Sequence, residues 1–318
     1  MSNSLTKLLP GVQENIVLAP YTTYKVGGPA RYFFATKKDE EVVKALRVAG
    51  ELRMPWFILG GGSNLLVSDK GFRGLVIKIQ NTRYKIQDTN MYVEAGVTMP
   101  QLVKIAARRG LGGFEWAGGL PGTVGGAIRG NAGAFGGEMK DDIVEVKALD
   151  REGNIKIFSR DECNFTYRSS IFKEKDFVVL SAKIQLARGD KQKFTQEAEG
   201  HILYRKERHP LEYANAGSMF KNCDCNLFPK SERAKFNHVI KTDPFPVVPT
   251  AFLLSEAGVK GLRVGGAAVS EKHPNFIVNM NNAKANDIVR LSETVQRRVK
   301  EKFGVKLERE IQFVGMKD

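Results

Sequence analysis

Two glycine-rich stretches hold the residues whose types and spacing most directly imply chemistry. Nine of the twenty residues from Gly118 to Gly137 are glycine, interleaved with Thr, Val, Ile and Phe. A second cluster, Gly60-Gly61-Gly62-Ser63-Asn64, follows the apolar run Trp56-Phe57-Ile58-Leu59. Glycine lets a backbone approach a ligand closely, and successive N–H groups in a tight turn form an anion-binding nest. Two such backbone cradles predict a long, phosphate-bearing cofactor.

The cluster at Gly60 taken alone leaves two interpretations open. It matches neither the Gly-x-Gly-x-x-Gly fingerprint nor a P-loop with Gly-Lys-Ser/Thr, so it argues against the common nucleotide-binding folds. A purely structural turn explains the cluster about as well as a phosphate site does. Together with the longer stretch, the phosphate site is favoured.

Length and composition are ordinary for a soluble globular protein of two or three domains. The chain has 318 residues, of which 42% are hydrophobic and 26% charged. No apolar run approaches the roughly 18 residues of a membrane helix, and the N-terminal residues lack the apolar stretch of a secretory signal. The predicted location is therefore the cytoplasm, with no membrane span.

Cysteine usage fits a reducing compartment. Cys163, Cys223 and Cys225 are too few for a disulfide framework. Cys223-Asp224-Cys225 lacks a second pair of ligands with zinc-type spacing. Two ordinary loop thiols and no metal are therefore predicted, although a metal or redox role for this pair is the alternative.

A formal net charge of +14 raises the possibility of nucleic-acid binding. The Lys and Arg residues are spread along the chain, with no basic arm and no aromatic-basic RNA motif. Because anionic small-molecule substrates also favour a positive cleft, no nucleic-acid partner is predicted.

The elements that position the glycine stretches alternate between strands and helices. Periodicity predicts a first β-α-β-β unit, a second region opened by a helix from Thr98, its N-cap, to Arg109, and a polar helix ending near Pro210. Asp39 is the predicted N-cap of the first long helix. Further predicted elements are strands at 31–35, 56–59, 75–79, 91–95, 143–150, 154–158, 177–186 and 307–314, and helices at 39–54, 191–208 and 284–303.

Six motifs, which include parts of both glycine stretches, occur in order along nearly the whole chain and carry a family resemblance. They are Gly60-Gly61-Gly62-Ser63-Asn64-Leu65-Leu66-Val67, Gly119-Leu120-Pro121-Gly122-Thr123-Val124-Gly125-Gly126-Ala127, Gly130-Asn131-Ala132-Gly133-Ala134, Tyr167-Arg168-Ser169-Ser170, Ala216-Gly217-Ser218-Met219-Phe220-Lys221-Asn222 and Leu307-Glu308-Arg309-Glu310-Ile311. Each motif alone is modest, but six in order are specific. The chain resembles the UDP-N-acetylenolpyruvoylglucosamine reductase (UDP-N-acetylmuramate dehydrogenase) family, in its shorter subtype without the extra substrate-capping loop.

The resemblance implies an α+β fold: a two-subdomain FAD-binding fold of the vanillyl-alcohol-oxidase (PCMH) type, followed by a smaller α+β substrate-binding domain. The predicted boundaries are 1–85, 86–209 and 210–318. The implied cofactor is non-covalent FAD, with NADPH as co-substrate. NADPH reduces FAD, and reduced FAD in turn reduces the enolpyruvyl group of the UDP-sugar at C3, after which C2 must be protonated. A monomer is favoured.

Three residues correspond to the family's catalytic positions. Ser218 resembles the serine that protonates C2, where the alternative is a turn serine beside Gly217. Arg168 resembles the arginine that binds the enolpyruvyl carboxylate, where the alternative is a structural salt bridge. Glu310 resembles the active-site glutamate, with a raised pKa expected beside the substrate's negative charge; Glu308 is the expected exposed neighbour.

The resemblance also implies which residues bind cofactor and substrate. For FAD these are Gly60, Gly61, Gly62, Ser63, Asn64, Leu65, Gly119, Pro121, Gly122, Thr123, Val124, Gly125, Gly126, Asn131, Ala132 and Gly133. For the substrate they are Asn222, with Arg205 and Arg208 as diphosphate candidates whose alternative is ordinary solvated charge at a helix end. His273 is interpreted as structural rather than catalytic.

The chain departs from the family pattern beside the predicted catalytic serine. Cys223 stands where a proline usually follows Phe-Lys-Asn, and the segment 224–250, with Pro229, Pro244, Pro246 and Pro249, is longer than expected. This segment is predicted either to reshape access to the substrate or to form a contact surface. No matched catalytic residue is lost.

Two rival functions come from different classes. One is another flavoenzyme of the same fold acting on a different small molecule, although no histidine near the first glycine turn offers covalent flavin attachment. The other is a non-enzymatic polyanion-binding protein that uses the +14 charge. A flavin spectrum of the purified protein rejects the second, and turnover with the enolpyruvyl substrate rejects the first.

Overall fold

The chain forms two compact units, each built from separate segments of the sequence. The computed structural model describes residues 2–242 and 245–316, so Asp243 and Pro244 of the segment 224–250 lie outside the described residues. The first unit contains Met1–Ile16, Pro29–Gly61 and Phe72–Tyr204, and the second contains Val17–Gly28, Gly62–Gly71 and Arg205–Asp318. The sequence predicted three consecutive stretches, 1–85, 86–209 and 210–318. That division does not place Val17–Gly28 and Gly62–Gly71 with the C-terminal residues, as the second unit does. The boundary predicted at 85/86 within the first unit stays a prediction.

The described residues contain nine α-helices and twenty short or medium strands. The helices are α1 (Ser2–Leu8), α2 (Asp39–Glu51), α3 (Met99–Arg108), α4 (Val124–Arg129), α5 (Ile171–Glu174), α6 (Lys191–Arg208), α7 (Lys230–Arg233), α8 (Thr250–Glu256) and α9 (Ala285–Phe303). The strands are β1 (Gln13–Val17), β2 (Pro29–Thr36), β3 (Trp56–Leu59), β4 (Leu65–Val67), β5 (Phe72–Ile79), β6 (Tyr84–Gln87), β7 (Asn90–Glu94), β8 (Leu111–Gly112), β9 (Gly133–Ala134), β10 (Gly137–Glu138), β11 (Ile143–Leu149), β12 (Ile155–Ser159), β13 (Val178–Gln185), β14 (Ala187–Arg188), β15 (Cys223–Asp224), β16 (Val247–Val248), β17 (Arg263–Val264), β18 (Ala267–Val269), β19 (Ile277–Asn279) and β20 (Gln312–Val314).

The first unit combines two sheets. One has the order β1-β2-β5-β3, with β2 and β3 both parallel to β5. The other is antiparallel, in the order β12-β11-β13-β7-β6. Helix α2 connects β2 to β3 and buries Val42, Ala45, Leu46 and Ala49, a spacing that puts them on one helical face. One continuous apolar core runs through this unit.

Of the two N-cap residues predicted in the first unit, one is confirmed and one is wrong. Thr98 caps α3 as predicted, its side chain accepting a hydrogen bond from the N–H of Gln101. Asp39 is not the N-cap of α2, because Lys38 occupies that position. The Asp39 carboxylate instead pairs with Lys147 at 2.9 Å and accepts a hydrogen bond from Asn81 at 2.8 Å. A long-range ion pair thus takes the carboxylate that the local pattern assigned to capping.

The second unit has its own apolar core around α9 and the antiparallel sheet β17-β18-β19. Helix α9 buries Ile288, Leu291, Val295 and Val299 along one face and ends at Gly304, whose φ is 72°. The closing strand predicted at 307–314 is shorter in the structure. Only β20 is a regular strand, and it pairs in parallel with β4.

The segment 224–250 folds as part of the second unit. Phe228 and Phe236 are buried in its core, with Phe236 facing the α9 residue Phe303 at a ring-centroid distance of 6.1 Å. Cys223 lies in β15, which pairs with β16, rather than in a loop as predicted. Burial raises the pKa of both Cys223 and Cys225.

Candidate functional site

The two glycine stretches meet where β3 ends. A Cβ atom at Gly61 would lie 2.7 Å from the Cα of Gly122, and one at Gly60 would lie 2.6 Å from Oγ1 of Thr123. Both distances are far shorter than a carbon side chain tolerates, so these positions need glycine for the two backbones to pack. The first unit therefore brings together two parts of the predicted cofactor site that are some sixty residues apart in the sequence.

The turn after β3 keeps main-chain donors available. Across residues 2–242 and 245–316, no acceptor pairs with the N–H groups of Gly61, Gly62 or Ser63. Gly62 is buried and has φ of 65°, a conformation that suits glycine. Gly61 is exposed and Ser63 is half-buried, so their N–H groups are accessible to a ligand. These open donors are the geometry that an anion-binding nest requires.

The longer glycine stretch uses part of its backbone for internal structure. The N–H of Val124 donates to the carbonyl of Val97 at 2.8 Å, and the N–H of Gly125 donates to that of Ala95 at 2.9 Å. The amides at 124 and 125, predicted to face the cofactor, are thus already paired. They fix the start of α4 against the chain that leads into α3.

The side chain of Asn131 is likewise used for internal hydrogen bonds. Its side chain is fully buried and donates to Glu138 at 3.0 Å and to the Thr166 carbonyl at 3.1 Å, while its oxygen accepts from the N–H of Lys140 at 3.1 Å. The amide therefore positions the loop that ends in Gly133. Contact with a cofactor at this position is left to the main chain.

The remaining predicted cofactor residues fall on both units. Gly119 has φ of 73°, Pro121 and Gly126 are exposed, and Leu65 is a buried residue of β4. Ala132 donates its N–H to Ala127 at 2.8 Å.

Arg168 lies in the first unit on a strained stretch of backbone. Its φ is 56°, an uncommon value for a residue with a side chain. The guanidinium donates to the Gly133 carbonyl at 2.8 Å and lies 5.0 Å from the centroid of the Tyr167 ring. The Arg168 carbonyl in turn accepts a hydrogen bond from Lys173 at 3.0 Å. Strain of this kind clusters at functional sites, and it places the guanidinium beside the second glycine stretch.

Ser218 and Glu310 come together in the second unit. The N–H of Glu310 donates to the carbonyl of Met219 at 2.9 Å, and that of Lys221 donates to Glu308 at 2.9 Å. Ser218 and Glu310 are both half-buried, whereas the Glu308 side chain is 71% exposed and pairs with Lys221 at 2.6 Å. The two acids thus differ as predicted, with Glu308 facing solvent.

Asn64 connects the first glycine cluster to the same place. Its side chain donates to the Glu310 carbonyl at 3.1 Å, and its own carbonyl accepts from the N–H of Gln312 at 3.0 Å. These bonds continue the pairing of β4 with β20. Within the second unit, a predicted cofactor residue and a predicted catalytic residue therefore share a direct contact.

Asn275 holds the loop of Ser218 and was missed by sequence reasoning. It is 4% exposed. Its carbonyl accepts from the N–H of Met219 at 2.7 Å, and its side chain both accepts from Phe220 N–H at 3.1 Å and donates to Phe220 C=O at 2.8 Å. Sequence reasoning stopped at His273, two residues earlier, which it interpreted as structural.

The predicted substrate residues Arg205 and Arg208 stand at the end of α6. Arg205 is half-buried and burial lowers its pKa, whereas Arg208 is exposed. Lys272, which sequence reasoning left out, donates to the carbonyl of Lys206 at 2.7 Å. The side-chain oxygen of Asn222 accepts from the N–H of Thr250 at 3.1 Å. Arg205, Arg208 and Lys272 therefore bring positive charge to the C-terminal end of α6.

Two histidines pack beside that charge. His209 and His273 lie edge to face with ring centroids 5.4 Å apart, and Phe276 contacts both rings. Burial, with nearby His273, Arg205 and Lys272, lowers the pKa of His209 to about 4. Burial also lowers the pKa of His273, whose buried Nδ1 has no hydrogen-bond partner in the described chain. Both rings are therefore neutral near pH 7.

No group of three His, Cys, Asp or Glu side chains within the described ranges is placed to hold a metal ion. None of the described helices combines the length and apolar character needed to cross a bilayer.

Two family models match separate parts of the chain, and curated relatives match nearly its whole length. A family model for an FAD binding domain matches residues 30–159, and one for the C-terminal domain of UDP-N-acetylenolpyruvoylglucosamine reductase matches residues 209–314. The reductase of that name from Caldanaerobacter subterraneus subsp. tengcongensis is 41% identical over 93% of this chain and 91% of its own length. The one from Lachnoclostridium phytofermentans is 39% identical over 95% of this chain and 93% of its own length.

A solved structure agrees with these sequence relatives. The crystal structure of UDP-N-acetylenolpyruvylglucosamine reductase from Thermus caldophilus has a TM-score of 0.76 with this chain at 33% identity, covering 95% of this chain and 98% of that one. The predicted α+β, FAD-binding fold is confirmed. The chain belongs to the UDP-N-acetylenolpyruvoylglucosamine reductase family.

Proposed function

We propose that this chain reduces the enolpyruvyl ether of UDP-N-acetylglucosamine to UDP-N-acetylmuramate with NADPH, in peptidoglycan precursor synthesis. Family membership over more than nine-tenths of the chain is the observation that supports this activity. The finer parts of the proposal are a monomer located in the cytoplasm that binds no nucleic acid. Three cysteines without disulfide partners suit a reducing compartment.

The residues present fit FAD. The turn at Gly60 and Gly61 approaches Gly122 so closely that a Cβ atom would clash, and the N–H groups from Gly61 to Ser63 are open. A diphosphate is the kind of group that such donors bind. When bound, FAD supplies a two-electron carrier between NADPH and the enolpyruvyl double bond. Gly60–Ser63, Gly122 and Thr123 are the residues proposed to hold it.

Ser218 is proposed to give its hydroxyl proton to C2 of the reduced enolpyruvyl group, forming the C2–H bond as its own O–H bond breaks. A serine hydroxyl is a weak acid, so the role needs a strongly basic acceptor and a fixed position. The bonds from Asn275 and Glu310 to residues 219 and 220 supply the fixed position.

Arg168 and Glu310 are proposed to control charge on the substrate. One nitrogen of the Arg168 guanidinium is held by the Gly133 carbonyl, and a planar cation held in this way suits a carboxylate. Negative charge that spreads onto the substrate carboxylate during reduction is thereby stabilised. Glu310, whose N–H donates to the carbonyl of Met219 next to Ser218, is the proposed acidic residue at this position. Arg205 and Lys272 offer charge for the diphosphate of the UDP group.

The test is a visible spectrum followed by NADPH titration and steady-state turnover. We expect yellow protein, bleaching by NADPH under anaerobic conditions, and NADPH consumption that depends on the enolpyruvyl substrate. A flavin that NADPH reduces without any substrate-dependent turnover would favour a different flavoenzyme. Colourless protein that is retained on DNA and released by salt would favour a polyanion-binding protein.

A further inference from the structure

Lys78 is the single charged residue in the second half of β5, among Leu75, Val76, Ile77 and Ile79. These apolar neighbours are buried, and Lys78 itself is half-buried. A lysine inside a parallel strand is uncommon, because such strands are covered on both faces and lose solvent for the charge. Its position therefore calls for a stabilising partner.

The sheet register brings Lys78 to the first glycine turn. In the parallel ladder, Lys78 is opposite Leu59, the last residue of β3, so its side chain starts level with the residue that precedes Gly60. The ammonium group donates a hydrogen bond to the carbonyl of Gly60. This bond fixes the peptide that joins Gly60 to Gly61, whose N–H is one of the open donors.

No carboxylate in residues 2–242 and 245–316 forms an ion pair with Lys78. A carbonyl oxygen satisfies one of the three ammonium donors but brings no negative charge. Loss of solvent lowers the pKa of this lysine, which is the response of a cation without a counter-charge. A bound anion would supply that charge.

We propose that Lys78 is a cofactor-binding residue that positions the Gly60 turn and provides the counter-charge for the diphosphate of FAD. The inference rests on the proposed function, since the diphosphate is that of its cofactor. It adds a charged side chain to a site otherwise built from main-chain amides. A charge-assisted interaction is stronger than a neutral hydrogen bond of the same geometry.

The test compares Lys78→Met with Lys78→Arg in the full chain, and Lys85→Met, an exposed lysine of β6, is the matched control. FAD and riboflavin are titrated separately into flavin-stripped protein, with flavin fluorescence as the readout. We expect Lys78→Met to weaken FAD binding about 10- to 50-fold, the size of one charge-assisted hydrogen bond. Riboflavin binding should change less than about twofold, because riboflavin has no phosphate. Lys78→Arg should restore most of the FAD affinity.

A second measurement separates binding from folding. In the flavin-stripped state Lys78→Met should melt within about 2 °C of the wild type, because loss of the hydrogen bond to the Gly60 carbonyl is offset by removal of a half-buried cation that has no protein counter-charge. If the stripped protein does not stay folded, the temperature of FAD release from the holoprotein is compared with its unfolding temperature by circular dichroism. We expect Lys78→Met to release FAD at a lower temperature than the wild type, while the unfolding temperature of the released chain is unchanged.

Two results would overturn the proposal. One is unchanged FAD affinity in Lys78→Met, and the other is an equal loss of FAD and riboflavin affinity together with a lower melting temperature, which would make Lys78 a structural residue only. A wild-type protein that binds no FAD at all would instead contradict the proposed function. The wild-type titration is therefore the measurement that distinguishes the two failures.

Discussion

The predicted site in the first unit consists mainly of main-chain groups, whereas the predicted site in the second unit depends on side chains. In the first unit, the loops around Gly60 and Gly122 present main-chain groups, and their shape depends on the absence of side chains. In the second unit, Ser218 and Glu310 present side chains, and Asn64 and Asn275 hold their backbones in place. Main-chain cradles suit an invariant group such as a diphosphate, whereas side chains suit proton transfer at one atom.

This contrast predicts two classes of variant. Substitutions of the side chains around Ser218 and Glu310 in the second unit should affect turnover while leaving the flavin bound. Substitutions in the glycine loops of the first unit should affect flavin retention and stability together.

The largest effect is expected from Ser218→Ala. Loss of a general acid typically costs about 10²- to 10⁴-fold in rate, so substrate turnover should fall by that factor. Flavin reduction by NADPH should stay within about twofold, because the proposed role of the serine lies only in the second half-reaction. Stopped-flow measurement of the two half-reactions checks this, with the exposed Ser255→Ala as control. Equal slowing of both half-reactions would show that Ser218 is not the proton donor.

Asn275→Ala should be the most damaging change outside the reacting groups. It leaves the buried N–H and C=O of Phe220 without their side-chain partners, at a cost of about 1–3 kcal/mol for each unsatisfied group. We expect a melting temperature several degrees lower and reduced turnover, with flavin still bound.

Two companion variants sharpen this result. Asn275→Asp keeps the acceptor for Phe220 N–H but sets a buried carboxylate oxygen against the Phe220 carbonyl, so it should not restore the wild-type melting temperature. Asn286→Ala, on the exposed first turn of α9, is the control. If Asn275→Ala melts like the control, the loop of Ser218 is held by other contacts.

Gly61→Ala tests the first unit. The added carbon would lie 2.7 Å from the Cα of Gly122, and relieving that clash should cost about 1–3 kcal/mol and release flavin. Gly50→Ala, in α2, has nothing within 4 Å of the added carbon and should be neutral or stabilising by up to about 1 kcal/mol. Calorimetry and the ratio of flavin to protein absorbance measure both. A Gly61→Ala protein with full flavin content would contradict the close-packed cradle.

The smallest expected effect concerns Asp142 of the first unit. Burial, together with Asp141 and Glu115, raises the pKa of its carboxyl to about 7. The unfolded chain loses this proton near pH 4, so the favourable contribution is complete below about pH 4 and is lost as pH rises to about 7. Asp142→Asn should remove this loss, which amounts to about 1 kcal/mol after allowance for solvent screening.

Melting curves at pH 5 and pH 8 measure the effect, and the exposed Asp161→Asn is the control. The variant should gain more stability relative to the wild type at pH 8 than at pH 5. A parallel pH dependence in Asp142→Asn and the wild type would show that this carboxyl titrates normally.

Local patterns predicted the elements well where one signal dominated. Helix α6 has the predicted bounds Lys191–Arg208, β3 has the bounds Trp56–Leu59, and Thr98 caps α3. Each depends on residues close in sequence. The assignment of Asp39 as an N-cap failed because Lys147, a partner more than a hundred residues away, pairs with the carboxylate.

The sequence predicted which residues belong to the site, but it did not predict the contacts that they make. The motifs named Ser218 and Glu310, and their pairing through Met219 could not be read from spacing because the two segments are ninety residues apart. For the same reason, the anchoring by Asn275 and the use of the Val124 and Gly125 amides in internal bonds were missed. Lys78 was visible as a lone charge in an apolar strand, but its contact with Gly60 depends on sheet register.

The interleaved chain path has a consequence for synthesis on the ribosome. Tyr24, which is fully buried, bonds to the carbonyl of Ile277 at 2.9 Å, and Asp69 accepts from the N–H of Ala285 at 2.8 Å. Both early segments therefore stay without their final partners until more than four-fifths of the chain has emerged. Closing such long loops is slow. Premature termination before Ala285 should leave a nascent chain that chaperones hold or proteases remove.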